Sequence, residues 1–213
     1  MPRDDAGAAP WVPAHGGLPA LRDALHDCRG CDLWEHATQP VPGAGAVDAP
    51  LVVVGEQPGD QEDRAGEPFV GPAGHLLDRA LDEAGIAREV VYRTNAVKHF
   101  RFTTRGKRRI HESPARWQVA ACGPWLLAEL ERVAPQVVVL LGATAGQAVH
   151  GPSLRVGAVR GMVMPWPLER LPLPEPPEAV VTTVHPSAVL RSRTREQDYT
   201  ALVADLSVAA AAL

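Results

Sequence analysis

Four short apolar runs punctuate the chain with almost no polar interruption, in "APLVVVGEQPG", "EVVYRTNAV", "PQVVVLLGATA" and "AVVTTVHPS". A run without alternation predicts a strand covered on both faces, as in a parallel sheet. Between and after them lie stretches with helical periodicity: "LPALRDALHDC", "AGHLLDRALDEAGI", "SPARWQVAACGPWLLAELERV" and "REQDYTALVADLSVAAAAL". Gly85 reads as the stop of the second, and Ser113 with Pro114 as the cap and first turn of the third. Residues 1–20, rich in Pro, Gly and Ala, read as a loosely ordered arm, and residues 21–213 as one domain. Alternating strands and helices predict a three-layer α/β/α sandwich around a mainly parallel, four-stranded sheet. Ligands of such sheets gather at the carboxyl ends of the strands. Those ends carry "GEQPG", "TNAVKH", "LGATA" and "VHPSAVL", so their polar residues are expected to converge.

Composition narrows the setting. The chain has 213 residues, 46% of them hydrophobic, enough for one sizeable core. No apolar run approaches the roughly 20 residues of a membrane span. The opening "MPRDDAGAAPWVPAHGG" lacks the basic-then-apolar order of a secretory leader, which predicts a cytoplasmic protein. Net charge is −4, yet the segment 98–111 holds Lys98, Arg101, Arg105, Lys107, Arg108 and Arg109 and no acid. A positive patch on a mildly acidic body predicts a specific anionic ligand; the plainer reading is a solvated basic loop.

Three cysteines are present, Cys28 and Cys31 in "CRGC" and Cys122 in "AACGPW". A CxxC pair serves redox, zinc and iron–sulfur chemistry alike, but a redox pair needs no third cysteine. A metal centre needs a fourth ligand, and His99 lies where the chain turns back from the second strand toward the helix bearing Cys122. Spacing alone leaves zinc and an iron–sulfur cluster equally open.

Taken together, "GEQPGDQEDRAGEPFVGPAGHLLDRAL", "TNAVKH", "LLGATA" and "VHPS" resemble the uracil-DNA glycosylase superfamily, in its iron–sulfur-containing family-four branch, over about residues 21–210. Within that branch, "GEQPG" and the inserted "GKRRIH" resemble the UdgX class, whose members remain covalently attached to the DNA they act on. The resemblance implies a [4Fe–4S] cluster on Cys28, Cys31, His99 and Cys122, with His99 where family four has a fourth cysteine. It places Gln57, Asp60, Phe69 and Asn95 around an extruded uracil, Phe69 stacking and Asn95 reading the base edge. His185 donates to uracil O2, and Glu56 is the acidic residue of the first motif. It also implies single-stranded DNA as the preferred partner, free uracil as product and a monomeric protein.

The chemistry asks for these groups. Breaking the C1′–N1 bond leaves positive charge on the sugar and negative charge on the base, and a site must steady both. The base must leave the stack to be read. Glu56, Asp60 and Asp63 form an acidic cluster whose division of labour the spacing leaves open. Lys107, Arg108 and Arg109 suit phosphates. His111 has two readings: on spacing it lines a DNA groove, while the resemblance makes it a nucleophile for C1′, since neutral imidazole outcompetes water. Three functions follow: a covalently trapping uracil-DNA glycosylase, an ordinary turnover glycosylase of family four, or a non-catalytic metal-containing module for single-stranded DNA.

Overall fold

The computed structural model describes residues 7–213. Residues 1–6 of the N-terminal arm lie outside the described residues, and the remainder of that arm packs on the body. The Ala8 N–H donates to the Ala121 carbonyl at 2.8 Å. The Arg132 guanidinium donates to the carbonyls of Pro13 and Gly16 at 2.8 and 2.9 Å.

In chain order the elements are α1 (Leu18–Leu25), β1 (Leu51–Gly55), α2 (Asp60–Ala65), α3 (Pro72–Glu83), β2 (Val91–Asn95), β3 (Phe102–Arg105), β4 (Arg108–His111), α4 (Arg116–Val133), β5 (Val137–Leu141), α5 (Gly142–His150), α6 (Val156–Val159), β6 (Val163–Met164), β7 (Ala179–Thr183), α7 (Pro186–Arg191) and α8 (Arg195–Ala210). The sheet runs β2-β1-β5-β7-β6. The expected four strands are all parallel neighbours, and β6 adds a two-residue antiparallel edge to β7. So short an edge pair leaves almost no periodic signal in the sequence.

Strand residues alternate between two cores. Leu51, Val53, Val139 and Val181 pack under Leu77 and Leu81 of α3 and Leu202 and Leu206 of α8. Val52, Val54, Val138 and Leu140 face Leu126 and Leu130 of α4 and Val149 of α5. Two covered faces make three layers and explain why the strands show no polar alternation. As expected, α3 stops where Gly85 takes a left-handed φ of +79°. Ser113 does not cap α4. That helix begins later, at Arg116, and the Gln118 side chain accepts the Ala115 N–H at 2.8 Å in its place.

The basic stretch is no loop. It forms the hairpin β3–β4, in register Phe102↔His111, Thr103↔Ile110, Thr104↔Arg109 and Arg105↔Arg108. Gly106, with φ +60°, is the first of the two turn residues, as a tight two-residue hairpin turn requires. Alternation puts Arg109 and His111 on one face of the ribbon and Arg108 and Ile110 on the other.

Candidate active site

In the parallel part of the sheet the chain leaves β1 toward β2 on one side and toward β5 on the other. The crevice between the carboxyl ends of β1 and β5 is therefore the switch point where doubly wound sheets bind ligands. Glu56 directly follows β1. Thr144, in the first turn of α5, donates its hydroxyl proton to Glu56 Oε2. A cavity of about 570 Å³ opens here, and Glu56, Phe69, Asn95, His111 and His185 line it. Residues scattered over 130 positions of sequence thus meet at one crevice because four strand ends and one hairpin meet there.

Close packing shapes the floor of the cavity. Gly55 is in register with Asn95. A Cβ at Gly55 would strike Asn95 Oδ1 and come within 2.8 Å of Phe69 Cζ. Phe69 itself holds a φ of +60°, a left-handed conformation that costs a non-glycine residue about 1–2 kcal/mol. Its carbonyl sits where a side chain at Gly74 of α3 would lie, so helix packing enforces the strained conformation. Glu62 closes the loop from the other side, its carboxylate accepting the N–H groups of Gly59 at 3.1 Å and Gly71 at 2.8 Å.

His185 precedes α7. Its Nδ1 accepts the Ser187 N–H at 3.2 Å and lies 2.8 Å from the Ser187 hydroxyl. Nδ1 is thereby occupied as an acceptor, which leaves the proton on Nε2 of the neutral ring. Burial, helped by the nearby His111 and Arg191, pushes this imidazole down from about 6.5 to about 4. A neutral Nε2–H donor is then available throughout the physiological range. The unfolded chain takes up this proton near pH 6.5, so stability is full above that pH. It falls as pH is lowered from about 6.5 toward 4. Urea unfolding at pH 7 and pH 5 should show the decline, and His185→Gln should make it shallower, the remainder coming from the buried His99, whose imidazole is pushed down over the same window.

The hairpin delivers His111. Its Nε2 lies 3.4 Å from Glu56 Oε1, and its ring is 49% exposed toward the crevice. Arg109, on the same ribbon face, anchors the hairpin instead of greeting solvent. It meets Asp60 at 2.5 Å and the fully buried Asp63 at 2.6 Å, and spreads over the rings of Phe100 and Phe102. Asp63 also accepts the Thr38 N–H at 3.0 Å. The acidic cluster is therefore divided: Glu56 faces the cavity, while Asp60 and Asp63 hold Arg109. Two expectations change accordingly, because Asp60 stands outside the cavity lining and Arg109 is committed to carboxylates rather than to phosphate. Arg109→Ala should destabilise the fold by about 3 kcal/mol by stranding the buried Asp63 charge, a loss visible as a lower urea midpoint.

Gln57 borders the cavity, but its amide is spent on backbone. It donates to the carbonyls of Arg101 and Glu112 at 3.1 and 3.0 Å and accepts the Arg101 N–H at 3.0 Å. It pins the base of the hairpin, and with both amide protons committed it has no donor for the base edge expected of it. The basic patch shrinks as well. Lys98 is fully buried against Glu129, and Arg101 leans on Glu112 and Gln118. Arg105, Lys107 and Arg108 remain exposed at the hairpin tip.

Below the hairpin, Cys28, Cys31 and Cys122 are free thiols in or beside a small apolar cluster with Trp125. The Trp125 indole N–H donates to Cys28 Sγ at 3.2 Å and the Lys98 N–H to Cys122 Sγ at 3.3 Å. Burial pushes the Cys31 thiol up to about 11 and the Cys122 thiol to about 12, each also raised by the field of a neighbouring cysteine. His99, next to Lys98, is buried and held neutral, its imidazole pushed down to about 4. Among the described residues, no three His, Cys, Asp or Glu side chains close around a single metal ion.

With this geometry in hand, comparison with known proteins is decisive. The family model described as the uracil DNA glycosylase superfamily matches residues 42–207. The chain belongs to the uracil DNA glycosylase superfamily. It is 41% identical over 180 residues to a Type-4 uracil-DNA glycosylase of Thermotoga maritima, covering 84% of this chain and 86% of that protein. It is 38% identical over 188 residues to one of Archaeoglobus fulgidus, covering 84% and 88%. A Type-5 uracil-DNA glycosylase of Pyrobaculum aerophilum matches at 32% over 147 residues, 62% of each chain.

In this member of the superfamily, three site groups escape a reading of the sequence. Thr144 orients Glu56, Glu62 ties the loop that carries Phe69, and Arg191 lines the cavity from the last residue of α7, the helix that His185 caps. Glu62 had a local signal, a Glu at the third position of a helix start. Thr144 and Arg191 had none beyond lying near strand-end motifs.

Proposed function

We propose that the protein excises uracil from DNA, preferably single-stranded, and then becomes joined through His111 to C1′ of the abasic site. The observation that carries this reading is the placing of His111 Nε2 3.4 Å from Glu56 Oε1, at the rim of the cavity that holds Asn95 and His185.

The chemistry follows from the groups present. The extruded base enters beside Phe69, and the Asn95 amide offers both a donor and an acceptor to its edge. As the C1′–N1 bond breaks, its electron pair leaves with uracil, and the His185 Nε2–H meets the charge developing on O2. The Glu56 carboxylate, held by Thr144, faces the cationic sugar. Neutral His111, its proton on Nδ1, attacks C1′ through the Nε2 lone pair; the imidazolium so formed, steadied by the Glu56 carboxylate, gives up its Nδ1 proton to solvent and leaves a neutral alkylated imidazole. Neutral imidazole is a poor leaving group, so the bond persists. Arg108 and Lys107 at the hairpin tip meet phosphates, and one copy of the chain suffices for every step.

Cys28, Cys31, His99 and Cys122 would hold a [4Fe–4S] cluster. The donor set fits it: three undisulfided thiols, two of them buried acceptors of N–H···S bonds, and a neutral histidine. When bound, the cluster supplies a crosslink between the N-terminal segment, the turn after β2 and α4, with no part in bond breaking.

The test is a denaturing gel of the protein with a labelled, uracil-containing single strand. A band that survives SDS and heat, and is absent with thymine, is expected. Free abasic product without that band would instead favour a uracil-DNA glycosylase that turns over and leaves C1′ to water. No uracil release at all would reject both.

A further inference from the structure

Lys98 is wholly buried, and all three of its ammonium protons are committed. They go to Glu129 Oε2 at 2.6 Å, Thr94 Oγ1 at 2.6 Å and the backbone carbonyl of Asn95 at 2.9 Å. Thr94 in turn donates to Glu129 Oε2 at 2.5 Å, and Glu129 Oε1 accepts the Gly43 N–H at 2.9 Å. Burying two full charges in this way is costly, and an apolar trio of similar volume often serves stability equally well. What an apolar side chain cannot supply is a donor for the Asn95 carbonyl. That carbonyl marks the point where the chain leaves β2. The following N–H groups are already fixed, Ala96 to the Gly55 carbonyl at 2.9 Å and Val97 to the Glu56 carbonyl at 3.0 Å. The Lys98 ammonium closes the same turn from the opposite side.

We infer that the Lys98–Glu129 pair is a positioning device for Asn95, setting the pose in which its amide meets the base. This rests on the reading of Asn95 as the group that faces uracil. Lys98 itself touches no substrate; it acts on Asn95 through the backbone.

The test uses Lys98→Met and the neutral double variant Lys98→Met/Glu129→Gln, each also in an Asn95→Ala background. Melting temperature, the single-turnover rate of uracil release and its half-saturating protein concentration are measured. Lys98→Met should lower the melting temperature by stranding Glu129, and the double variant should recover most of it. The double variant should nevertheless release uracil about 10–100-fold more slowly, the cost of a misplaced contact group, at a half-saturating concentration within threefold of the parent. In the Asn95→Ala background the same change should cost no more than about twofold, since coupled residues are not additive. A double variant that releases uracil at the parental rate, or a loss that adds in full to that of Asn95→Ala, overturns the inference. Should the double variant not fold, Lys98→Arg keeps the charge opposite Glu129 but moves the donors, and is judged by the same two outcomes. If the parent protein releases no uracil, the failure belongs to the proposed function instead.

Discussion

His111→Ala is expected to abolish the SDS-stable protein–DNA band while uracil release continues, within about tenfold of the parent. The asymmetry follows from the geometry. His111 stands at the mouth of the cavity, 49% exposed, with Glu56 Oε1 3.4 Å from its Nε2. Asn95 and His185, which on the proposed function face the leaving base, sit on other elements of the cavity wall. Removing the imidazole opens a path for water to C1′, so turnover should appear where, on the proposed function, the parent is consumed one to one. Arg108→Ala is the control. It removes an exposed cation from the opposite face of the ribbon, and should weaken DNA binding and its salt dependence while leaving the band intact. A band that persists in His111→Ala would move the nucleophile elsewhere in the crevice.

Glu56→Gln should have the largest effect on excision itself, slowing single-turnover uracil release about 10²–10³-fold. The amide keeps the size of the carboxylate and a partner for Thr144, but not the negative charge that, on the proposed function, faces the cationic sugar and the imidazolium formed on His111. Adduct formation should therefore slow with release, in contrast to His111→Ala, where the two separate. Rapid quench with protein in excess, each sample divided between an assay of free uracil and a denaturing gel, gives both rates from one experiment. A loss below about threefold would show that Glu56 has no part in bond breaking.

The hairpin shows where reading the sequence stops. "FTTRGKRRIH" carries a turn glycine and β-branched residues, yet its dense positive charge reads as a solvated loop. Its fate is decided by Asp60 and Asp63, forty-odd residues earlier, which hold Arg109, and by Gln57, which grips the backbone at its base. Nothing local marks Lys98 as buried either, since its partner Glu129 lies 31 residues away on α4.

Sequence by itself determined the sheet, its four parallel strands and the loops at their carboxyl ends, because unbroken apolar runs and helical periods are local signals of burial. Through the family resemblance of its motifs it also marked Glu56, Asn95, His111 and His185 as groups fit for chemistry on a nucleotide, although spacing alone put His111 in a DNA groove. Tertiary structure decided which charges meet substrate and which meet each other. It buried Gln57 and Lys98, paired Arg109 with Asp60 and Asp63, and brought Thr144, Glu62 and Arg191 into the site. The reason is physical: an ion pair or a buried amide is defined by a partner distant in the chain, and only the folded packing brings that partner within reach.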